Sequence, residues 1–243
     1  MSLVDSLDEK KRRRATRLRA APDTRPLPTT AGGWKTVLAD PPWRFINRTG
    51  KVAPEHRRLD RYSTLDIDAI CSIPVSDVTA KDSHLYLWVP NALLPEGLRV
   101  LDAWGYRYVS NVIWAKRRKD GGPDGRGVGF YFRNVTEIIL FGVRGSMRTL
   151  PQARSQVNMI ETRKREHSRK PDEQYLLIEA CSPGPYLELF ARHARPGWTV
   201  WGDEAATDVT PRGRVHKGYA GGAIEIPHAT NQVYRGAVTS KRS

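Results

Sequence analysis

At 243 residues the chain is long enough for one domain with a large buried core, and 40 Lys and Arg against 26 Asp and Glu give it a formal net charge of +14. This balance favours a polyanionic partner, and nucleic acid is the first candidate. The two cysteines are far apart and no run of about 18 apolar residues occurs, so we expect a reduced, cytoplasmic, soluble protein with no metal site and no membrane partner.

Residues 1–30 are rich in Lys and Arg and then in Pro. The proline spacing ends any helix that begins here. We interpret the segment as a flexible basic arm. Two roles remain open for it, non-specific phosphate contacts and a passive solubilising tail.

The stretch that follows the first predicted strand, at 36–39, is the most informative one. An apolar run delivers Asp40 onto Pro41, Pro42 and Trp43. Proline offers no backbone donor and restricts the residue before it, so the strand ends abruptly. In open α/β sheets the carboxyl end of a strand is where ligands bind, and an acid, carbonyls and an indole suit a planar group with an amino substituent. An ordinary Asp-Pro turn is the alternative.

The other predicted elements alternate between apolar strands and helical segments. Further strands are predicted at 84–89, 108–114, 137–142, 186–190 and 198–201, and helices at 65–71, 93–104 and 172–180, with Thr64 as the cap of the first helix. A polar loop at 44–61 is interpreted as gating the substrate. The basic stretch 144–169 is predicted to be a loop over the site rather than a core element. This order predicts an α/β fold whose sheet has six or seven strands, mostly parallel.

Several of these stretches together resemble the MT-A70 family of adenine-N6 methyltransferases. The opening motif at 38–43 is followed by Arg-Lys-Pro-Asp-Glu at 169–173, Ser-Pro-Gly at 182–184 and Leu-Glu-Leu-Phe-Ala-Arg at 187–192. The strands around 113–116 and 141–145 match as well. The resemblance covers roughly 34–204. It implies a Rossmann-like methyltransferase fold with permuted motif order, the catalytic motif first, and we assign the methyltransferase domain to 31–204. From about residue 205 the chain is rich in Gly, Thr and Arg without a strong period, so we expect an extended or disordered tail at 205–243.

The resemblance implies that Asp40, Pro41, Pro42 and Trp43 form the catalytic motif. The N6 amine of adenine is a poor nucleophile because its lone pair is delocalised into the ring. Asp40 and the Pro41 carbonyl are suited to accept its two N–H bonds, and Trp43 to stack on the base, which is flipped out if it comes from a duplex. S-adenosyl-L-methionine is the implied cofactor and supplies the methyl group without a metal.

The resemblance also implies two sets of binding residues. The cofactor set is Asp40, Lys170, Glu188, Phe190, Arg192, His193, Asp203 and Glu204. The substrate set is Tyr62, Lys116, Arg133, Asn134 and Glu137. Without the catalytic motif, a surface acid, a solvated charge and a helix-end residue are the competing interpretations of Glu188, Lys170 and His193. Three tryptophans, Trp88, Trp104 and Trp114, are interpreted as core.

The leading hypothesis is methyl transfer to adenine N6 in DNA, with RNA as the first alternative. A catalytically inactive nucleic-acid-binding partner subunit is the second. A nicotinamide-dependent enzyme is disfavoured because no G-x-G-x-x-G follows a first strand. Dimerisation is common among proteins with this motif order, so a homodimer is a further expectation.

Overall fold

The computed structural model describes residues 25–44, 64–125, 131–163 and 169–202. The strands are β1 (Trp34–Ala39), β2 (Thr79–Val89), β3 (Arg107–Arg117), β4 (Thr136–Arg144), β5 (Met159–Arg163), β6 (Tyr186–Leu189) and β7 (Trp198–Trp201). The helices are α1 (Ile67–Cys71), α2 (Val75–Val78), α3 (Leu94–Ala103) and α4 (Glu173–Cys181), with short 3-10 turns at Asn91–Leu93 and Pro151–Ala153. Most of the predicted basic arm at 1–30, all but the first residue of the predicted gating loop at 44–61 and the whole predicted tail at 205–243 lie outside the described residues. None of the described helices has the length and apolar character to cross a membrane.

In the described ranges seven strands form one sheet in the order β5-β3-β4-β2-β1-β6-β7. β1 pairs in parallel with β2 and β6, β6 with β7, and β3 with β5. β4 is antiparallel to both of its neighbours, β2 and β3. The α/β architecture and the number of strands are therefore as predicted.

The prediction of a mostly parallel sheet is corrected, because β4 makes the sheet a mixed one. A parallel connection needs a crossover of a dozen or more residues, usually through a helix. Between β3 and β4 the described residues contain no helix, and the chain turns back beside the strand it has just left. The reversal has a functional consequence: the start of β4 reaches the edge where the other six strands end.

The core lies in two layers, one on each face of the sheet. Val37 and Ala39 of β1 face one layer, and Leu38 faces the other, as the period of a strand requires. The first layer is covered by α1, α2 and α3, the second by α4. Gly97 lets α3 approach β2, since a Cβ there would lie 2.6 Å from the Val89 side chain. The sheet is thus held rigid from both sides.

Trp88, Trp104 and Trp114 are core residues, as predicted. Each indole N–H finds an acceptor: Gln174 Oε1 at 2.7 Å, the Ile70 carbonyl at 3.0 Å and Thr162 Oγ1 at 2.9 Å, respectively. Buried tryptophans usually need such partners. The three hydrogen bonds connect β2 to α4, α3 to α1, and β3 to β5.

Two local predictions were wrong. The stretch 144–169 was predicted to be a loop, but it contains β5, which pairs in parallel with the end of β3. The helix predicted from residue 65 begins at Ile67, and its cap is Asp66, whose carboxylate accepts a hydrogen bond from the Ala69 amide at 2.8 Å. Leu65 instead forms a bridge with Trp43, which ties the opening motif to α1.

A buried polar cluster joins β2 to the Ser-Pro-Gly segment after α4. Ser182 Oγ lies 2.7 Å from both His84 Nδ1 and the Tyr86 hydroxyl, and all three residues are buried. Burial lowers the pKa of His84 below its ordinary value of 6.5. The imidazole is therefore kept neutral in the folded protein.

This burial predicts a stability that falls in mildly acidic solution. Below pH 6.5 the unfolded chain binds a proton at His84 that the folded chain does not, so unfolding becomes easier as the pH decreases from there to the folded pKa. The expected slope is at most about 1.4 kcal/mol per pH unit for this one proton. Urea titrations between pH 5 and 8 on the wild type and on His84→Gln measure it, and an equal slope in both proteins would contradict the prediction.

Candidate active site

Asp40 lies directly after β1, an inner strand of the sheet, at the edge where β1 ends. β1 is flanked by β2 and β6, and the Asp40 amide donates to the Leu189 carbonyl of β6 at 3.4 Å. The side chain of Asp40 is 25% exposed, so it is accessible from the edge although most of it is covered. A carboxylate thus stands at the position where open α/β sheets bind ligands.

Four charged side chains form a continuous chain along this edge. Lys170 Nζ lies 3.2 Å from Asp40 Oδ1 and 3.0 Å from Glu137 Oε2. Glu137 in turn accepts a hydrogen bond from the Lys116 ammonium through its other oxygen. All four residues were predicted as site residues, and the fold brings them together from β1, β3, β4 and the segment before α4.

The alternation of charge in this chain controls the protonation of its members. Burial alone would raise the pKa of Glu137, yet Lys170 and Lys116 lower it to about 2. Burial would lower the pKa of Lys170, but the carboxylates of Asp40 and Glu137 raise it. For Asp40, burial is the larger effect and its pKa is raised, although Lys170 and Arg192 act against it. Glu137 and Lys170 are therefore firmly charged, whereas Asp40 is the group whose charge is least favoured by its surroundings.

The indole ring of Trp88 packs against the charged side chains of this edge. The Lys170 ammonium lies 4.8 Å from the centre of its ring, within the range of a cation–π contact. The Trp88 ring is fixed by Gln174, and its carbonyl accepts the indole N–H of Trp43 at 2.9 Å. The sequence analysis predicted neither the Lys170–Trp88 contact nor the role of Gln174. The only signal in the sequence is the period of β2, which places Trp88 on the same face as Tyr86.

The two prolines after Asp40 hold a tight loop. The Pro41 carbonyl accepts the Trp43 amide at 2.8 Å, and the Pro42 carbonyl accepts the Leu65 amide at 2.9 Å. Each carbonyl oxygen has a second lone pair, so the Pro41 carbonyl retains acceptor capacity. Trp43 is 6% exposed and packs into the first core layer. In this conformation its ring supports the loop, and base stacking by Trp43 stays a prediction.

The end of β6 carries an unusual backbone conformation. Phe190 has a φ of 62°, a left-handed value that is rare for residues other than glycine and is often found at functional sites. Its ring meets Trp201 edge to face at 5.6 Å between centroids. Gly202 lies so close that a Cβ there would be 2.8 Å from the Ala191 carbonyl. The ends of β6 and β7 are thus drawn together beside Asp40.

Two buried nitrogens in this region have no hydrogen-bond partner among the described residues, His193 Nδ1 and Trp201 Nε1. Buried polar atoms without partners are rare and usually have a reason. Glu188, one strand away, is better satisfied, because the Tyr175 hydroxyl donates to both of its oxygens at 3.1 and 3.0 Å. Burial, with the charge of Asp40, raises the pKa of Glu188 to about 7, although the Tyr175 hydroxyl and Arg195 oppose the rise.

The remaining predicted residues are spread over other positions. Arg133 and Asn134 are exposed, and the Arg133 guanidinium donates to the Gly125 carbonyl at 3.1 Å instead of joining the charged chain. Arg192 is close enough to Asp40 to influence its pKa. Tyr62, Asp203 and Glu204 lie outside the described residues. Among the residues that are described, no group of three or more His, Cys, Asp and Glu is arranged to hold a metal ion.

Comparison with known proteins gives a consistent picture. The family model MT-A70 matches residues 34–204. A Medicago truncatula "Putative N(6)-adenosine-methyltransferase MT-A70-like" protein is 32% identical over 71% of this chain and 26% of its own length. A human "N(6)-adenosine-methyltransferase catalytic subunit" is 32% identical over 71% of this chain and 28% of its own length. The Mycoplasma "Type II methyltransferase M.MunI" is 26% identical over 70% of this chain and 77% of its own length. The matches span only about a quarter of the first of these curated relatives.

Proposed function

This chain belongs to the MT-A70 family, and from that premise we propose that it is an S-adenosylmethionine-dependent methyltransferase that modifies the N6 amine of adenine in DNA. The observation that carries the proposal is the carboxylate of Asp40 at the carboxyl end of the inner strand β1, 3.2 Å from the Lys170 ammonium. An acceptor of fixed orientation at this edge is what an exocyclic amine requires.

Asp40 prepares the amine by accepting one of its N–H bonds, and the Pro41 carbonyl accepts the other with its remaining lone pair. Two acceptors on one side of the nitrogen draw it toward tetrahedral geometry and direct its lone pair to the opposite side. When bound, S-adenosylmethionine supplies an activated methyl group on a sulfonium. The nitrogen that has gained the methyl loses its proton readily, so Asp40 orients the amine and need not be a strong base.

Lys170 keeps Asp40 in the form that accepts hydrogen bonds. Burial disfavours the Asp40 carboxylate, and a cation beside it lowers that cost. Lys170 is itself held by Glu137, which Lys116 holds in turn. In this proposal Glu137 and Lys116 therefore position Lys170, and both residues lie next to the bound adenine.

The residues around β6 and β7 fit the proposed cofactor. His193 Nδ1 and Trp201 Nε1 supply polar atoms that have no partner within the described chain, and Gly202 keeps the backbone of both strand ends close. Glu188 provides carboxylate oxygens suited to ribose hydroxyls. The Lys170 ammonium has three donors, of which Asp40 and Glu137 engage two, so one is available for a carboxylate. Phe190 and Arg192 would line the same side.

The proposal names DNA as the polymer that carries the adenine. It is supported by the extent of the match to the type II methyltransferase, 77% of that protein, against 23–33% of the N(6)-adenosine-methyltransferases. RNA is the alternative, supported by the word adenosine in the names of relatives that are more similar in sequence. The net charge of +14 suits either polyanion.

A methylation assay on matched polymers tests both parts of the proposal. Purified protein is incubated with S-adenosylmethionine that carries a labelled methyl group and with DNA or RNA of the same mixed sequence. The polymer is then digested to nucleosides, which are separated and identified by mass spectrometry. We expect labelled N6-methyladenine from DNA. Label only in RNA would contradict the choice of DNA as the polymer but would still support methyl transfer to adenine N6. A protein that neither binds the cofactor nor transfers label would support the inactive-partner alternative.

A further inference from the structure

A cationic pocket lies at the carboxyl ends of β3 and β5, away from Asp40. It has a volume of about 410 Å³ and is lined by Arg118, Lys119, Asp120 and Arg163. The parallel pairing of the two strands places Arg163 next to Arg117, so Arg163 lies beside the point where the chain leaves β3 for Arg118 and Lys119. We propose that this pocket binds backbone phosphates of the substrate polynucleotide.

The charges of the pocket are those that a phosphodiester needs. Arg118 is held by Asp120 at 2.9 Å, and the carboxylate also accepts the Gly122 amide at 3.0 Å, so the loop after β3 is shaped before any ligand arrives. Lys119 and Arg163 have no ion-pair partner within the described ranges. Three cations against one acid leave an excess of positive charge in a concave site, which attracts anions more strongly than the same charges on a flat surface.

The position of the pocket suits a long polymer rather than a small anion. β4 and β2 lie between β3 and β1, so three strand spacings of about 4.8 Å separate Arg118 from Asp40 across the sheet. Arg118 also lies beyond the last residue of β3. The two sites are therefore on the order of 20 Å apart on the same edge of the sheet.

This separation gives the proposal a length scale. It rests on the proposed function, since it assumes that the target adenine is bound at Asp40. At about 3.4 Å of rise per base pair, 20 Å corresponds to roughly six base pairs. The substrate should therefore need about six base pairs on the side of the modified adenine that faces the pocket.

The first experiment measures binding alone, and so does not depend on methyl transfer. The affinity of the full chain for a 30-base-pair DNA duplex is measured between 50 and 300 mM salt for the wild type and for the double variant Lys119→Ala, Arg163→Ala. Each phosphate contact contributes about 0.9 to the slope of log affinity against log salt, so we expect the slope to fall by about 2. The matched control is Lys35→Ala, Arg107→Ala, which removes one Lys and one Arg from the opposite edge of the sheet.

The control should leave the slope nearer to the wild-type value than the pocket variant does. Equal slopes in the pocket variant and the wild type would overturn the proposal, as would equal losses in the two double variants, because the pocket would then act only through net charge. Neither result depends on the proposed function, which fails separately if the wild type transfers no methyl group.

The second experiment uses the oligonucleotide that the methylation assay identifies. Base pairs are removed stepwise from each side of the modified adenine, and kcat/KM is measured for the wild type and the pocket variant. We expect kcat/KM of the wild type to fall at least tenfold when one side is shortened below about six base pairs. The pocket variant should have a lower kcat/KM on the full-length oligonucleotide, and the same shortening should reduce that value little. A wild type that tolerates short ends on both sides would overturn the assigned position.

Discussion

Replacing Asp40 with Asn should lower kcat for methyl transfer by about 10²- to 10⁴-fold, which is the range for removing one group that orients or stabilises the reacting atoms. The amide keeps the size of the carboxylate but loses its charge, and it presents an NH₂ group that repels the N–H bonds of the substrate amine. The measurement is a single-turnover rate with saturating cofactor and substrate.

The same substitution should not reduce the stability of the protein. Burial raises the pKa of Asp40, so its ionised form is disfavoured in the folded state, and a neutral amide removes that cost. Urea unfolding at pH 8 should therefore give a free energy equal to or above that of the wild type. A variant that loses activity together with stability would instead indicate a structural role for Asp40.

Asp68→Asn is the matched control for this prediction. Asp68 has the same chemistry but is 78% exposed, and it pairs with Arg99 on the surface of α1. Surface ion pairs of this kind contribute little, so both its rate and its stability should stay close to those of the wild type. An Asp68 variant as inactive as the Asp40 variant would argue against a specific function of the edge carboxylate.

Removing Lys170 is expected to have the largest effect on stability. In Lys170→Met the carboxylates of Asp40 and Glu137 keep their partial burial but lose the cation between them. Breaking a buried pair on one side typically costs 3–5 kcal/mol, and the partial exposure of this site reduces the figure, so we expect a loss of about 2–4 kcal/mol at pH 7. Lys35→Met, an exposed lysine of β1, should change the free energy of unfolding by less than about 0.5 kcal/mol.

The pH dependence of the Lys170 variant distinguishes charge from packing. In the wild type the pKa of Glu137 is lowered to about 2, so its contribution is present above 4.5 and is lost as the pH falls toward 2. In the variant both carboxylates lose Lys170, which lowers the pKa of each in the wild type, so their protonation on lowering the pH relieves the folded state. The difference between the two proteins should narrow between pH 7 and pH 4. A difference that is independent of pH would mean that the loss is one of packing.

The sequence by itself determined the parts of this protein that depend on neighbours in the chain. The apolar runs at 36–39 and 84–89 predicted two buried strands, and the two prolines predicted that the first of them ends at Asp40. The motif that begins there, with the segments around Lys170 and Glu188, was sufficient to identify the MT-A70 family. These features are local because strand periodicity and proline geometry act within a few residues.

The tertiary structure alone decided which distant side chains meet. β5 has two buried residues, Ile160 and Thr162, of which only the first is apolar, so its sequence carries little hydrophobic signal, and it is a strand because the end of β3 pairs with it. The reversal of β4 is likewise a matter of pairing, and it places Glu137 against Lys170, 33 residues further along the chain. A sequence records the types of these charges but not their distance, because long-range pairing depends on the packing of the whole sheet. That packing makes Asp40, Lys170, Glu137 and Lys116 one connected site.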